Sequence, residues 1–111
     1  MDPIRFGVIG LRRGRSFVRI CDVVGGATVT ALYDIDAPRV AQAAAELGVR
    51  AFTDYDAFLN ADIDAVIIAS PLPYHARQAV AALAAGKHVL SEVTACDNFD
   101  DARALVGASR A

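Results

Sequence analysis

The sequence predicts an α/β fold, a doubly wound parallel sheet with strand order 3-2-1-4-5. Short apolar or β-branched runs alternate with segments of helical period along the whole chain. Strands that alternate with helices form parallel sheets through right-handed crossovers. The 111 residues also match the size of a single domain, so the predicted domain spans residues 1–111.

The first strand is predicted at 4–9, where the run IRFGVI ends at Gly10. A helix is predicted at 14–24 because apolar residues recur there at helical spacing. The glycine pair at 25–26 ends this helix. The apolar stripe that we expect to face the sheet consists of Phe17, Ile20, Cys21 and Val24.

The second strand is predicted at 28–33, a run of β-branched and apolar residues. Asp36 is expected to cap the helix that follows, and Gly48 to end it. The apolar run at 65–69 is typical of a strand buried on both faces. The other predicted elements are a strand at 49–52, a helix at 54–59, a helix at 74–85, a strand at 88–93 and a last helix that Asp97 or Asn98 caps.

Composition excludes several classes of protein. With 55% hydrophobic and 22% charged residues, the chain is too apolar to be disordered. A net charge of −2 gives no reason to expect nucleic-acid binding, and no apolar run approaches the roughly 18 residues that span a bilayer. The first ten residues lack the layout of a signal peptide, so a cytoplasmic location is the expectation. The two cysteines show no metal spacing and are expected to be free thiols.

The turn after the first predicted strand matches a phosphate-binding glycine turn in part. It reads GVIGLRRGRS, so Gly10 takes the first position of G-x-G-x-x-G and Arg12 replaces the second glycine. Because the turn opens a helix, backbone N–H groups and the helix dipole favour an anion there. Arginines can clamp phosphate oxygens, and Arg15 adds a third guanidinium. The alternative is a solvated, charged turn. The candidate phosphate contacts are Gly10, Leu11, Arg12 and Arg13.

An acidic residue ends the second predicted strand. Asp34 lies 24 residues after Gly10, close to the roughly 20 expected for the acid that binds a ribose. Its carboxylate would accept hydrogen bonds from ribose hydroxyls and repel a 2′-phosphate, which favours NAD over NADP. The neighbouring arginines favour NADP instead. The alternative role of Asp34 is helix capping, for which Asp36 is also available.

Ligands of open α/β sheets bind beyond the carboxyl ends of the strands, at the point where the strand order reverses. Ser70, Pro71 and His75 follow the fourth predicted strand, across that point from the glycine turn. Glu92 stands near the end of the fifth strand, within reach of the same cleft. We expect these four residues to border a bound dinucleotide. His75 is equally compatible with a surface position at the start of a helix.

Four segments in order resemble the glucose–fructose oxidoreductase and inositol dehydrogenase (Gfo/Idh/MocA) family. They are GVIG at 7–10, YDID at 33–36, ASPLPYH at 69–75 and AGKHVLSE at 85–92. The resemblance covers nearly the whole chain and implies a Rossmann-like, NAD(P)-binding domain. It assigns the pyrophosphate to the turn at Gly10, the adenosine ribose to Asp34, and the nicotinamide side to Ser70, Pro71 and His75. Glu92 corresponds to the first residue of the family's Glu-Lys-Pro motif.

Two departures from the family pattern bear on function. Val93 stands where the resemblance places a lysine that assists proton transfer, and valine cannot exchange a proton. Lys87, the single lysine, precedes the fifth strand, at the end opposite the cleft. The family also carries a C-terminal substrate domain, which these 111 residues lack. We therefore expect a fragment or truncated form of an oxidoreductase that acts on a sugar, polyol or related carbonyl compound, inactive on its own.

Two other functions remain open. The chain could be a non-catalytic module for nucleotide sensing or protein interaction, because the lysine and the second domain are missing. It could also bind another ligand on a similar fold, such as S-adenosylmethionine or coenzyme A. NAD is the expected cofactor, with NADP possible, and the expected partners are a homo-oligomer or the missing C-terminal domain. No metal site is expected.

Overall fold

The computed structural model describes residues 2–111, which form a five-stranded sheet with strand order 3-2-1-4-5. All neighbouring strands pair in parallel, and helices cover both faces. The predicted doubly wound α/β fold is therefore confirmed. No helix within residues 2–111 combines the length and apolar character needed to cross a membrane.

The elements agree with the predicted ones to within about two residues at most ends. The fifth strand ends two residues earlier than predicted, and the fourth helix is preceded by a 3-10 turn at Leu72–Tyr74. The strands are β1 Ile4–Ile9, β2 Ala27–Tyr33, β3 Arg50–Phe52, β4 Ala65–Ile68 and β5 His88–Ser91. The helices are α1 Arg15–Val24, α2 Ala37–Leu47, α3 Tyr55–Leu59, α4 His75–Ala84 and α5 Phe99–Arg110.

The ends of α2 show how local sequence sets an element. The Asp36 side chain accepts a hydrogen bond from the Arg39 N–H at 3.1 Å, which satisfies a free donor of the first turn. Gly48 adopts a φ of 69° and ends the helix. Both ends lie where the sequence predicts them, and the helix thus begins directly after the acidic end of β2.

The core has two parts, one on each face of the sheet. Val8 of β1 and Leu32 of β2 point to the face covered by α1 and α2. Their neighbours Ile9 and Tyr33 point to the opposite face, which packs against α4 and against α3 with its residue Phe58. Successive residues of a strand point to opposite faces, so the apolar runs of β1 and β4 supply both parts.

The predicted inward stripe of α1 is wrong at two positions. Ile20 and Val24 are exposed, whereas Val18 and Cys21 are buried against the sheet. The rotation of the helix follows from Gly14, whose added Cβ would overlap the Val8 side chain. Since Gly14 touches the sheet, the residues four and seven positions later lie on the same face of the helix.

The apolar side of α5 is only partly buried. Leu105 packs against the core, and Ala102 is half-buried. Val106 is exposed, and so is 84% of Phe99. Together with Ala102, these two side chains line a shallow groove on the outer surface of α5.

An ion pair at the amino edge of the sheet joins β1 to β4. The Arg5 guanidinium donates to both carboxylate oxygens of Asp64, at 3.1 and 2.8 Å, and the Arg5 N–H donates to the same group at 2.9 Å. These contacts hold the pKa of Asp64 at about 2, below its ordinary value of 3.8. The pair aligns the two central strands whose opposite ends carry the cleft described below.

We expect Phe58→Ala to lower the free energy of unfolding by about 3–5 kcal/mol. The Phe58 side chain is fully buried, and its ring lies 5.7 Å from that of Tyr33 and 5.9 Å from that of Tyr55, between ring centroids. Chemical denaturation measures the change. Phe99→Ala removes an exposed ring and should cost no more than about 0.5 kcal/mol. Equal losses in the two variants would contradict this account of the core.

We expect Asp64→Asn to reduce the loss of stability in acid. The folded-state pKa of Asp64 is lowered, so its contribution is complete above the unfolded pKa of 3.8 and is lost as the pH falls towards 2. The melting temperature of the wild type should therefore fall more than that of the variant between about pH 6 and pH 2.5. Asp22→Asn, at an exposed position of α1, is the control. Parallel acid profiles for wild type and Asp64→Asn would refute the assignment.

Candidate functional site

A cleft of about 640 Å³ opens at the carboxyl ends of the strands, where the strand order reverses between β1 and β4. Three segments line it: the turn after β1, the residues after β2, and the turn and helix after β4. Seven of the nine candidate residues lie on its wall. They are Gly10, Leu11, Arg12, Arg13, Asp34, Ser70 and Pro71.

The two turns meet at Gly10. Its φ is +87°, a conformation that residues with a Cβ rarely adopt, and an added Cβ would lie 2.6 Å from the Ser70 nitrogen. The main chains of the two turns are thus in direct contact. This contact closes the bottom of the cleft. The walls of the cleft are formed by the side chains of residues that follow the strands.

Gly14 supplies the close packing between helix and strand that the third glycine of the motif normally provides. It is buried at the start of α1, and its N–H donates to the Gly10 oxygen at 2.9 Å. An added Cβ would overlap that oxygen and the Val8 side chain. The glycine turn is therefore complete in its packing, although its third glycine comes one position early.

The three arginines of the turn have different surroundings. Arg12 and Arg13 line the cleft. Arg15 forms an ion pair with Glu46 of α2, on the outer side of the turn. Arg15 begins α1 and does not line the cleft, so two of the three arginines lie on the cleft wall.

The Asp34 carboxylate is held by the main chain. One oxygen accepts the Leu11 N–H at 3.0 Å and the other accepts the Asp36 N–H at 3.0 Å. The side chain is 9% exposed and faces the cleft. Asp36 is the residue that caps α2, so capping does not account for Asp34. Each carboxylate oxygen accepts one of these bonds and retains acceptor capacity towards the cleft.

The wall formed by α4 and α3 is ordered by hydrogen bonds. The Tyr55 hydroxyl donates to the Gln78 main-chain oxygen at 2.7 Å, and the Ser70 hydroxyl donates to the Gln78 side chain. Burial, its largest cause, raises the pKa of the Tyr55 phenol well above its ordinary value. The hydroxyl therefore stays protonated and serves as a donor that fixes the wall.

His75 does not line the cleft, contrary to the expectation from its position after β4. It is 2% exposed, so the surface alternative is wrong as well. Its Nδ1 lies 2.7 Å from the Thr94 oxygen and its Nε2 lies 2.5 Å from the Ser70 oxygen. The ring thus joins the turn after β4 to the segment after β5.

Glu92 lies at the rim of the cleft rather than on its wall. It follows the last residue of β5, and its carboxylate forms an ion pair with Arg13 at 2.5 Å. Val93, the next residue, is exposed. Lys87 lies at the opposite edge of the sheet, where its Nζ donates to the Ile63 oxygen at 2.9 Å. The structure therefore separates Lys87 from the cleft, as the sequence predicts.

Eleven further lining residues were not among the nine candidates. Each of them ends β1 or β2 or follows β2, β3 or β4, and this position at the carboxyl ends of the strands is the signal that could have indicated them. Within residues 2–111, no group of three or more His, Cys, Asp or Glu side chains is arranged to hold a metal ion. The additional lining residues are Ile9, Tyr33, Ile35, Asp36, Arg39, Tyr55, Ala69, Tyr74, Arg77, Gln78 and Ala81.

The cleft fits a dinucleotide. A helix amino terminus and two arginines suit an anion at one wall, and an oriented carboxylate suits a diol next to it. The volume of about 640 Å³ lies within the usual range for small-molecule sites. The wall after β4 combines apolar side chains with polar ones: Ala69, Pro71 and Ala81 are apolar, and Ser70, Tyr74, Arg77 and Gln78 carry polar groups.

Residues 4–110 match the model of an oxidoreductase family (Gfo/Idh/MocA) with an NAD-binding Rossmann fold. Among curated relatives, inositol 2-dehydrogenase 3 of Saccharopolyspora erythraea is 38% identical over 97% of this chain. UDP-N-acetylglucosamine 3-dehydrogenase of Acidithiobacillus ferrooxidans is 36% identical over 96% of it. The chain spans about a third of the length of these relatives, 33% and 34%.

Solved structures agree with this match. The WlbA dehydrogenase of Bordetella pertussis, in complex with NADH and UDP-GlcNAcA, has a TM-score of 0.92 and 28% identity over 98% of this chain and 34% of its own. The scyllo-inositol dehydrogenase of Lactobacillus casei, with bound NAD(H) and scyllo-inositol, has a TM-score of 0.86 and 31% identity over the same shares. The chain therefore belongs to the Gfo/Idh/MocA oxidoreductase family and carries its NAD-binding Rossmann fold.

Proposed function

We propose that this chain binds NAD(H) in the cleft between the turns after β1 and β4, as the dinucleotide-binding domain at residues 1–111 of an oxidoreductase. One observation carries the proposal: the Asp34 carboxylate and the glycine turn face the same cleft, side by side. The Leu11 N–H bond to Asp34 links them directly. In a dinucleotide, the diol of the ribose likewise lies next to the anionic phosphate, so the two groups match Asp34 and the glycine turn.

In this proposal the pyrophosphate lies against the turn from Gly10 to Arg13. Its charge meets the amino end of α1 and the guanidinium groups of Arg12 and Arg13. Arg12 replaces a glycine that would let the pyrophosphate approach more closely, and it offsets the lost closeness with charge-assisted hydrogen bonds. Asp34 accepts hydrogen bonds from the adenosine ribose, which lies next to Ile35 on the cleft wall.

The nicotinamide end is assigned to the wall after β4 and β5. Ser70 and Pro71 contact this half of the dinucleotide, and Glu92 borders it from the rim. His75 acts indirectly, because its ring holds the Ser70 and Thr94 carbonyl groups rather than facing the cleft. It is a positioning residue in this proposal, not a contact of the cofactor.

The substrate class proposed for the whole protein is a sugar, a polyol or a related carbonyl compound. Support comes from relatives named as inositol and UDP-N-acetylglucosamine dehydrogenases. The bound nicotinamide supplies hydride transfer, and this chain supplies binding and orientation. Substrate contacts and the proton partner come from a further domain or another subunit, since Val93 stands at the position of the family's lysine. A cytoplasmic location fits such metabolism.

A second candidate function is a non-catalytic nucleotide-sensing or interaction module. The exchange of a proton-active lysine for the exposed Val93 favours it. A dehydrogenase assay of the protein containing this chain, with polyols and nucleotide sugars, separates the two functions. Turnover of any of these substrates excludes the sensing module, whereas NADH binding without turnover favours it.

We expect NADH to bind the chain, and Asp34→Ala to weaken binding about tenfold or more, because hydrogen bonds to charged groups contribute about 1.5–3 kcal/mol. Isothermal titration calorimetry or NADH fluorescence measures the dissociation constant. Asp22→Ala, an exposed carboxylate on α1, is the matched control and should leave binding unchanged. Thermal melting of Asp34→Ala without nucleotide checks that the variant folds.

Two outcomes would contradict this assignment. A wild-type chain that gives neither heat nor a fluorescence change with NADH or NADPH would refute dinucleotide binding itself. Equal affinity in a folded Asp34→Ala variant and in the wild type would leave binding intact but remove Asp34 from the ribose site.

We expect the chain to bind NADH more tightly than NADPH, because the buried Asp34 carboxylate repels a 2′-phosphate. Asp34→Asn removes that charge. The ratio of the dissociation constant for NADPH to that for NADH should therefore fall about tenfold. Arg39 and Arg12 lie on the same wall and can then pair with the added phosphate. A wild-type preference for NADPH would show that these arginines, rather than Asp34, decide the selectivity.

A further inference from the structure

The ion pair between Arg13 and Glu92 joins two turns that are not neighbours in the sheet. Arg13 follows β1 and Glu92 follows β5, and β4 lies between these strands. Neighbouring strands are about 4.8 Å apart, so the pair bridges roughly 10 Å of the carboxyl edge. It therefore passes above the end of β4, where Ala69, Ser70 and Pro71 form a wall of the cleft.

The two partners are held to different degrees. The Glu92 side chain is 18% exposed, and its N–H donates to the Ile68 oxygen of β4 at 2.9 Å. The Arg13 side chain is 74% exposed and has a long, flexible stem. The position of Glu92 is thus held by the sheet, whereas the exposed Arg13 side chain is free to leave the ion pair and extend into solvent.

We propose that the Arg13–Glu92 pair is a strap that closes over the nicotinamide half of the cleft and slows the release of a bound dinucleotide. The inference rests on the proposed function, because it requires a dinucleotide in this cleft. It adds a role in binding kinetics to the contacts that Arg13 and Glu92 make with the dinucleotide. The nucleotide enters and leaves the cleft only while the ion pair is open.

The hydrogen-bonding capacity of arginine makes a strap compatible with a bound pyrophosphate. A guanidinium has five N–H donors, and the Glu92 contact occupies one of its terminal nitrogens. The remaining donors can bind phosphate oxygens on the cleft side while the ion pair stays closed. Glu92 therefore acts with the dinucleotide to hold Arg13, and it does not compete with the pyrophosphate for the guanidinium.

A double-mutant cycle on the dissociation rate of NADH tests the strap. The four proteins are the wild type, Arg13→Gln, Glu92→Gln and the double variant, and release is followed by stopped-flow fluorescence with excess NAD⁺ as competitor. Glu92→Gln should release NADH about twofold to fivefold faster, the range expected for a partly exposed ion pair. Arg13→Gln should release it at least as fast, because this variant also loses the contact with the pyrophosphate. The double variant should be no faster than the faster single variant, since one interaction is lost only once.

Two further measurements make the cycle specific. Arg19→Gln, which removes an exposed guanidinium on α1, should leave the dissociation rate unchanged. Raising the salt concentration should speed release from the wild type more than from Glu92→Gln, because screening weakens only a pair that exists.

The outcomes distinguish the strap from its alternatives. Slower release from Glu92→Gln would overturn the strap, because Glu92 would then compete with the pyrophosphate for Arg13. The strap would also be overturned if Glu92→Gln left the dissociation rate of NADH unchanged, which would mean that Arg13 acts alone. The same holds if the rate increase in the double variant equalled the product of the increases in the two single variants. A wild type that binds no NADH fails the proposed function itself, and the strap with it.

Discussion

The contact between the turns after β1 and β4 is the constraint on which the rest of the site depends. Gly10 adopts a left-handed backbone and touches the Ser70 nitrogen, where a Cβ has no room. In a doubly wound sheet the chain turns away from this point in both directions, which leaves a cleft. The close approach of the two turns determines the depth of that cleft and sets the α1 amino terminus against it.

The same constraint orients the helix and the carboxylate beside the cleft. Gly14 must pack against β1 because its N–H is bonded to Gly10, and this contact fixes which side of α1 is buried. Leu11, also in the turn, donates its N–H to Asp34. The carboxylate is thus held by backbone donors, so its orientation costs little side-chain entropy when a ligand binds.

The two ends of the cleft differ in rigidity for a structural reason. Asp34 is nearly buried and bonded to two main-chain N–H groups, so the end near β2 is preorganised. The end near β5 is held by side chains, namely His75 and the Arg13–Glu92 pair. Exposed ion pairs are weaker than buried hydrogen bonds to main chain, so the second end is held less firmly than the first.

The parts of the fold that the sequence predicted are those encoded locally. The alternation of strands and helices, the cap at Asp36 and the position of Asp34 follow from periodicity and spacing within about 30 residues. The buried face of α1 did not follow, because the contact of Gly14 with β1 decides it rather than the apolar residues of the helix. His75 was misplaced for a similar reason: its partners include Thr94, whose position depends on how β5 joins the sheet.

Proton exchange at the end of the cleft near β5, where the proposed function places the nicotinamide, is constrained by the surrounding contacts. His75 is engaged at both ring nitrogens, and Glu92 is paired with Arg13. A group that transfers a proton must reach the substrate and exchange freely, which conflicts with the structural duties of both. The resemblance to the family implies a lysine at position 93, where this chain has Val93, and Lys87 is bonded at the far edge of the sheet. In the proposed function, this domain therefore holds and orients the dinucleotide, and the proton partner comes from elsewhere.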